Sequence, residues 1–332
     1  MLKRSLSALC VVLHASLAFA QADAPSAEAE VVPEKVLLVG QRPGPGLWKV
    51  SKDDHVLWVF GTYSPLPEKM EWRSQQVEAI LAQSQEYLAT PSAHASVGFF
   101  RGLTLLPSLI GLKKNPDGAT LHDVLPADIY ARWQPLKTKY LGDNDDIERE
   151  RPIFAAETLF TAGLRRAGLS KGEEVNGKIY TIARQRKIKV TQTGIKMEME
   201  DPSRLLKDFK KSQLADTACF SKTLARLEGD IEAMRVRANA WAKGDLEGIQ
   251  KLGYADQETE CGDAIRNADF VKNQPGFQNV RERMQAAWLE SAEKAMATNT
   301  TTFATLRLAD LIGPQSYLAA LKSKGYVVEN PD

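Results

Sequence analysis

The sequence predicts an α/β or α+β fold whose mixed central sheet is assembled from distant segments, flanked by helices and interrupted by a large helical insertion. Three observations carry this prediction. Short β-rich runs stand near both ends of the chain, helical patterns feed directly into strand-like ones, and residues 201–253 are helical almost throughout before the last strands begin.

The elements follow in order. Leu47-Trp48-Lys49-Val50 and Val56-Leu57-Trp58-Val59-Phe60 flank the turn-like Lys52-Asp53-Asp54 and read as a hairpin. Gly61 ends the second run, and Pro65 and Pro67 keep the next residues extended or turned. Within residues 71–85, Trp72, Val77, Ile80 and Leu81 recur near one helical face, and Tyr87-Leu88-Ala89 is a strand candidate. Helical spacing returns over residues 127–140, where Pro135 is expected to break or kink the helix, and again over 153–167 and 175–186. The last of these leads into a strand at 188–191. Asp201-Pro202 opens the long helical stretch with an N-cap and a first-turn proline. A helix over 279–297 gives way to a strand at 302–306. Gly313-Pro314, a helix over 315–324 closed by Gly325, and a strand at 326–328 complete the chain.

The first residues have their own logic. Lys3 and Arg4 precede an apolar stretch over 6–19, interrupted by His14, and Ala18-Phe19-Ala20 has the small-residue pattern of a cleavage site. The expectation is a signal peptide over residues 1–20, cut after Ala20. A membrane anchor needs about 20 apolar residues, whereas this stretch is shorter and runs at once into Gln21-Ala22-Asp23. Leu9 stands before Cys10 where lipidation calls for a small residue. Residues 21–35, rich in Ala, Glu, Pro and Ser, are expected to be a flexible leader, and residues 36–332 a single domain with its helical segment at about 201–297. The protein is therefore expected to be exported, periplasmic or secreted, with no transmembrane segment after cleavage.

The 332-residue chain holds 43 basic and 42 acidic residues, and loss of Lys3 and Arg4 leaves 41 basic ones. Bulk charge thus recruits neither nucleic acid nor an anionic membrane. A hydrophobic content of 43% can fill a core, which excludes disorder for the bulk of the chain. Cys10 leaves with the signal peptide, so Cys219 and Cys261 remain. In an oxidising compartment an isolated pair is most simply a disulfide, and neither cysteine has a second thiol or a histidine at metal-ligand spacing.

Rival chemistries find little support. His55, His94 and His122 sit in separate segments and read as satisfied surface histidines. Ser64 follows a strand and a tight turn, but Gly61-Thr62-Tyr63-Ser64-Pro65 is not a nucleophile elbow and no histidine is placed to activate it. Lys207, Lys210 and Lys211, interleaved with Leu206, Asp208 and Phe209, read as a solvated helix face. Phe99, Phe100, Leu103, Leu105 and Leu106 read as a buried helix or loop, with a partner or membrane-surface contact as the second reading.

Four strings carry a family resemblance. They are Leu47 to Val50 with Leu57 to Pro67 and Trp72; Ala240-Trp241-Ala242-Lys243-Gly244-Asp245-Leu246; Arg281-Glu282-Arg283-Met284; and Leu306 to Pro314 followed by Leu318, Leu321, Gly325, Tyr326 and Val328. In that order, across nearly the whole chain after the leader, they resemble the blocks of the TraB/GumN family, which includes the Tiki-type metalloproteases. The resemblance implies a TraB/GumN-like fold and, in typical members, a metal-dependent peptidase. This chain departs from the pattern where the chemistry would reside. Gly61 and Thr62 match the first Gly-x-x-His motif, but Ser64 and Asp310 stand where its two motif histidines belong, and Arg307 replaces the second motif's glycine. Thr90 falls where an acidic residue follows the next strand, and Asn176 where a later Gly-x-Asp ends; Arg283 alone matches a charged motif residue. Metal-assisted hydrolysis needs several imidazole or carboxylate ligands around one ion. With Asp310 the one strong donor left, the resemblance implies a pseudoenzyme without catalytic residues, metal or cofactor, acting by binding a peptide or protein partner. The alternative it leaves open is a hydrolase with an altered site around Asp310 and Arg283.

Overall fold

A computed structural model of the chain describes residues 45–331 apart from 71, 73, 96–98, 200, 213, 230, 252–256 and 273. The expected signal peptide, the leader and the start of the domain at Val36 lie outside the described residues. The described residues belong to one compact unit.

Among the described residues ten strands form: β1 (Leu47–Lys52), β2 (His55–Thr62), β3 (Leu66–Pro67), β4 (Glu86–Leu88), β5 (Ser92–Ala95), β6 (Leu169–Ser170), β7 (Lys189–Thr191), β8 (Gly194–Met197), β9 (Thr301–Arg307) and β10 (Val327–Glu329). Six of them build the central sheet in the order β10-β1-β2-β9-β4-β7. β1 runs antiparallel to β2 and β10, while β2, β9, β4 and β7 run parallel. The fold is mixed α/β, with its sheet drawn from both ends of the chain. The predicted hairpin is β1–β2, turned through Asp53 at a positive φ of 55°, a conformation that aspartate tolerates. The paired ends of the two parallel strands, Val59 to Thr62 and Thr302 to Leu306, are buried without alternation, as strands covered by helices on both faces must be.

Two apolar clusters hold the layers together. One packs Leu57, Phe60, Phe303 and Leu306 of the sheet against Trp241 and Trp288. The other joins Trp133, Leu159, Phe220 and Leu224 on the helices Ala127–Leu141, Pro152–Arg166 and Thr217–Gly229. The helix Ala127–Leu141 continues through Pro135, so of the expected break or kink the break does not occur. Proline removes one i to i−4 bond, but Ile129, Trp133 and Leu136 bury the face on either side and hold the flanking turns.

The helix Pro202–Lys211 begins as its sequence predicts, with Asp201 accepting from the Arg204 N–H at 3.0 Å. Its far end is held by a residue that local patterning does not reveal. The buried Arg151 guanidinium donates to the carbonyls of Phe209, Lys210 and Ser212, each at 2.8 Å, and lies 4.7 Å from the Phe209 ring. Lys207 and Lys211 on that helix are exposed, as expected of a solvated face.

Two small sheets were not predicted. β3 pairs with β6 over two residues, and β5 pairs in parallel with β8. The second pairing needs glycine. Gly194 has φ 137°, and a Cβ there would lie 2.0 Å from the Ser92 carbonyl oxygen. The apolar run near residue 100 is the helix Phe99–Leu109, in which Leu105 is buried and Leu106 and Leu109 are exposed. The side chains of Phe99, Phe100 and Leu103 lie outside the described residues. Among the described residues, no helix is long and apolar enough to cross a membrane. The Cys219 and Cys261 sulfurs are bonded, linking the helices Thr217–Gly229 and Gln257–Arg266.

Candidate functional site

In open parallel sheets the crevice beyond the carboxyl ends of the strands is the usual ligand site, because side chains from several strands and adjoining loops converge there. β2, β9 and β4 end together here. Thr62 is paired with Arg307 across β2 and β9, and Leu88 with Ala304 across β4 and β9. Beyond these ends lies a cavity of about 380 Å³ whose lining includes Thr62, Ser64, Thr90, Asn176 and Arg307. The Ser64, Thr90 and Asn176 positions singled out from the sequence therefore meet in one place.

The other positions part from this group. Asp310 follows β9 in the one-turn helix Leu308–Leu311 and lines a second cavity of about 220 Å³ with Arg281, Gln285 and Tyr317. It accepts two hydrogen bonds from Arg307, at 2.8 and 3.1 Å, so the pair forms part of the wall between the cavities. Burial and then the Asp310 charge push the Tyr317 phenol up to about 12, which keeps it protonated. Arg283 lines neither of these cavities. It donates to the Gly276 carbonyl at 2.8 Å and fastens the loop before the helix Val280–Met296 to that helix.

Gly61 is a packing position. A Cβ there would meet Trp48 at 2.7 Å and Leu311 at 3.1 Å. Its carbonyl accepts from the Trp241 indole at 2.7 Å, a buried bond that ties two of the resembling strings together. The rest of the Trp-x-x-Gly-Asp string is helix punctuation. Gly244 takes φ 71°, Asp245 N–H reaches the Ala240 carbonyl at 2.8 Å, and the Asp245 carboxylate caps the next helix at Gly248 N–H.

Under the cavity, Thr90 hydrogen-bonds to Thr305 at 2.8 Å, and Thr305 to Tyr87 at 2.9 Å. Burial holds the Tyr87 phenol above its ordinary value, although its bond to Thr305 opposes this. Opposite, Gly172 at φ 72° starts the helix Glu173–Gln185 and lies so close to the Tyr63 carbonyl that a Cβ would approach it to 2.8 Å. Asn176, one turn on, carries a buried Oδ1 with no hydrogen-bond partner among the described residues.

The cavity also holds residues that sequence reasoning missed. Lys171, Arg226 and Arg237 join Arg307 in its wall, against Glu157 and Glu173. Lys171 is ion-paired with Glu157, and Arg226 lies 5.0 Å from the Phe160 ring. One signal was available: Arg237 stands four residues before Trp241, so the two share a helix face. Arg226 and Lys171 had none, since a single basic residue on an amphipathic helix, or in a loop such as the one before Glu173, looks like a solvated one.

A divalent metal does not fit this donor set. The hydroxyls and the amide are weak ligands, and of the two described carboxylates in the lining Glu157 is ion-paired with Lys171. Among the described residues no three His, Cys, Asp or Glu side chains are grouped to hold an ion. His55 bonds the Asn299 carbonyl at 2.7 Å, His122 packs on Tyr130 at 5.0 Å, and His94 is exposed on β5.

Comparison with known proteins found no curated protein and no solved structure that matches. The model of the TraB/PrgY/gumN family matches residues 46–330, which span every strand described above. With that match over nearly the whole chain, the protein belongs to the TraB/PrgY/gumN family.

Proposed function

We propose that this is an exported, noncatalytic family member, periplasmic or secreted, that binds a peptide or protein partner at the strand-end cavity. The single observation that carries the reading is the chemistry of that cavity. Ser64, Thr90 and Asn176 supply hydrogen-bonding groups, Lys171, Arg226, Arg237 and Arg307 line the same cavity, and among the described residues no three His, Cys, Asp or Glu side chains are grouped to hold the metal of a hydrolase. Export is supported by the charged, apolar and small-residue pattern of residues 1–20, and by the Cys219–Cys261 pairing, which suits an oxidising compartment.

The alternative, a hydrolase built around Asp310 and Arg283, draws no support from the geometry, since Arg283 is spent on the Gly276 carbonyl and Asp310 on Arg307. The deciding experiment measures metal content and peptidase activity of the purified mature protein after supply of zinc, manganese and cobalt. We expect no stoichiometric metal and no cleavage. Stoichiometric metal with turnover abolished by Asp310→Ala would overturn the proposal and make the protein an enzyme with a rebuilt site.

A further inference from the structure

We propose that the exposed end of the helix Phe99–Leu109, with the lysines beside it, docks the protein on the surface of an anionic lipid bilayer. The contact is peripheral and involves none of the residues that line the strand-end cavity. It stands whether or not that cavity binds a peptide.

Eight large apolar side chains are exposed among the described residues, and three of them, Leu106, Leu109 and Ile110, fall within five consecutive positions at 56%, 46% and 76%. The other five are scattered along the sequence. Single exposed apolar residues call for no explanation, but a cluster does. Leu105 is buried, so the helix has already supplied its core face. Beyond it the chain turns tightly, with Ile110 N–H donating to the Pro107 carbonyl at 3.3 Å and Leu112 N–H to the Leu109 carbonyl at 3.1 Å. Gly111 follows at φ 75°, and a Cβ there would meet no atom within 4 Å, so this tip stands clear of its surroundings.

The chain is nearly neutral as a whole, but its charge is uneven here. Residues 87–116 hold no Asp or Glu. The helix Phe99–Leu109 packs against the basic helix Pro202–Lys211, and Arg151 fixes the end of that contact. Its backbone N–H donates to the Lys113 carbonyl at 2.8 Å and its guanidinium to the carbonyls of Lys114 and Lys210, at 3.1 and 2.8 Å. One residue therefore sets the backbone that follows the apolar tip beside the last turn of the basic helix. Lys113, Lys207 and Lys211 are exposed and Lys210 is half-buried. Among the described residues none of the four is paired with a carboxylate, since Asp208 lies 3.7 Å from Arg204 and Lys113 rests 5.8 Å from the Phe154 ring. Lys114 is not part of this group, because its ammonium donates to the Asp146 carbonyl.

This chemistry favours lipid over protein. Protein interfaces are anchored by Trp, Tyr and Arg seated in pockets, whereas this tip offers aliphatic side chains on a projection. Compact ammonium groups on flexible stems suit a diffuse layer of headgroup charge. Leu106, Leu109 and Ile110 would enter the headgroup and acyl boundary, where apolar surface is removed from water.

The test is flotation of the purified mature protein, from Gln21 onward so that the apolar residues 6–19 are absent, with vesicles of phosphatidylcholine alone or mixed in equal parts with phosphatidylglycerol. Partition into the mixed vesicles is expected, weakening with added salt. Ile110→Ser should lower it roughly tenfold, and Lys207→Gln and Lys211→Gln roughly fivefold each. A polarity-sensitive fluorophore attached at Ile110→Cys, with Cys219 and Cys261 still bonded, should shift to the blue on the mixed vesicles, while the same label at Val327→Cys should not. Absence of flotation with the mixed vesicles overturns the proposal; if sedimentation then shows a dimer that Ile110→Asp dissolves, the face belongs to a second copy of the chain. Flotation that survives Ile110→Ser with the Ile110 label unshifted assigns the contact to another surface and overturns it equally. Equal flotation with both kinds of vesicle overturns the anionic assignment.

Discussion

Asp216 shows how much one buried group can do in this fold. Its carboxylate accepts from the Ile153 N–H at 2.8 Å at the start of the helix Pro152–Arg166, close to the buried Arg151. Burial nevertheless dominates and raises its pKa, with the Ile153 hydrogen bond and the Arg151 charge opposing. A carboxyl whose folded pKa lies above its unfolded value stabilises the protein most when protonated in both states, and that contribution is lost as pH rises through the folded pKa. Asp216→Asn keeps an acceptor for Ile153 and removes the titration. Relative to this variant, the natural protein should gain stability as pH falls below neutral, and the gain should be complete only beneath the ordinary aspartate pKa of about 3.9. Urea unfolding of both proteins from pH 7 to pH 3.5 measures the difference. A difference that is flat with pH, or that runs the other way, would show that the Ile153 bond outweighs burial. None of this is legible in the sequence, where Asp216 is one acid among many.

Helices here begin by local rules and end partly by distant ones. Asp201 is readable as an N-cap because the motif is contiguous, and Gly325 at φ 87° as a helix stop for the same reason. The end of the helix Pro202–Lys211 instead depends on Arg151, about sixty residues earlier, which satisfies three carbonyls at once. Arg151→Met keeps the length and apolar stem but leaves those half-buried carbonyls without their donor, at a cost of about 1–3 kcal/mol. The variant should lower the unfolding free energy by that amount, and hydrogen exchange should report the loss first in residues 202–212. Unchanged exchange there would mean that the helix end is held by other contacts. The same contrast explains Pro135, where the local rule predicts a break and the burial of Trp133 and Leu136 prevails.

Over the whole molecule, the bonded Cys219 and Cys261 tie two helices of the insertion beside the cavity, with Cys261 in its lining. Their sequence separation of 42 makes the constraint on the unfolded chain worth about 4 kcal/mol in the chain-entropy account. The Cys219→Ala, Cys261→Ala variant should therefore unfold at lower temperature than the natural protein, and a reductant should lower the midpoint of the natural protein alone. If export is right, the protein recovered from outside the cytoplasm should begin at Gln21 with both thiols blocked. Recovery with Met1 intact and both thiols free would refute export.

What the sequence by itself determined is the local grammar: the β1–β2 hairpin, the helical periods, the caps, the two cysteines beyond residue 35, and the blocks that mark the family. These depend on backbone preferences and side-chain spacing within a few residues, and such preferences are written contiguously. The tertiary structure alone decided that β9 lies between β2 and β4, and so which of the marked positions meet. Ser64, Thr90 and Asn176 share a cavity, while Asp310 turns to Arg307 and Arg283 serves a loop. Arg226 and Arg237 join that cavity only because the helices carrying them pack over the strand ends. The physical reason is that strand order and helix docking follow from burying apolar surface over the entire chain, a sum of long-range contacts that no local window contains.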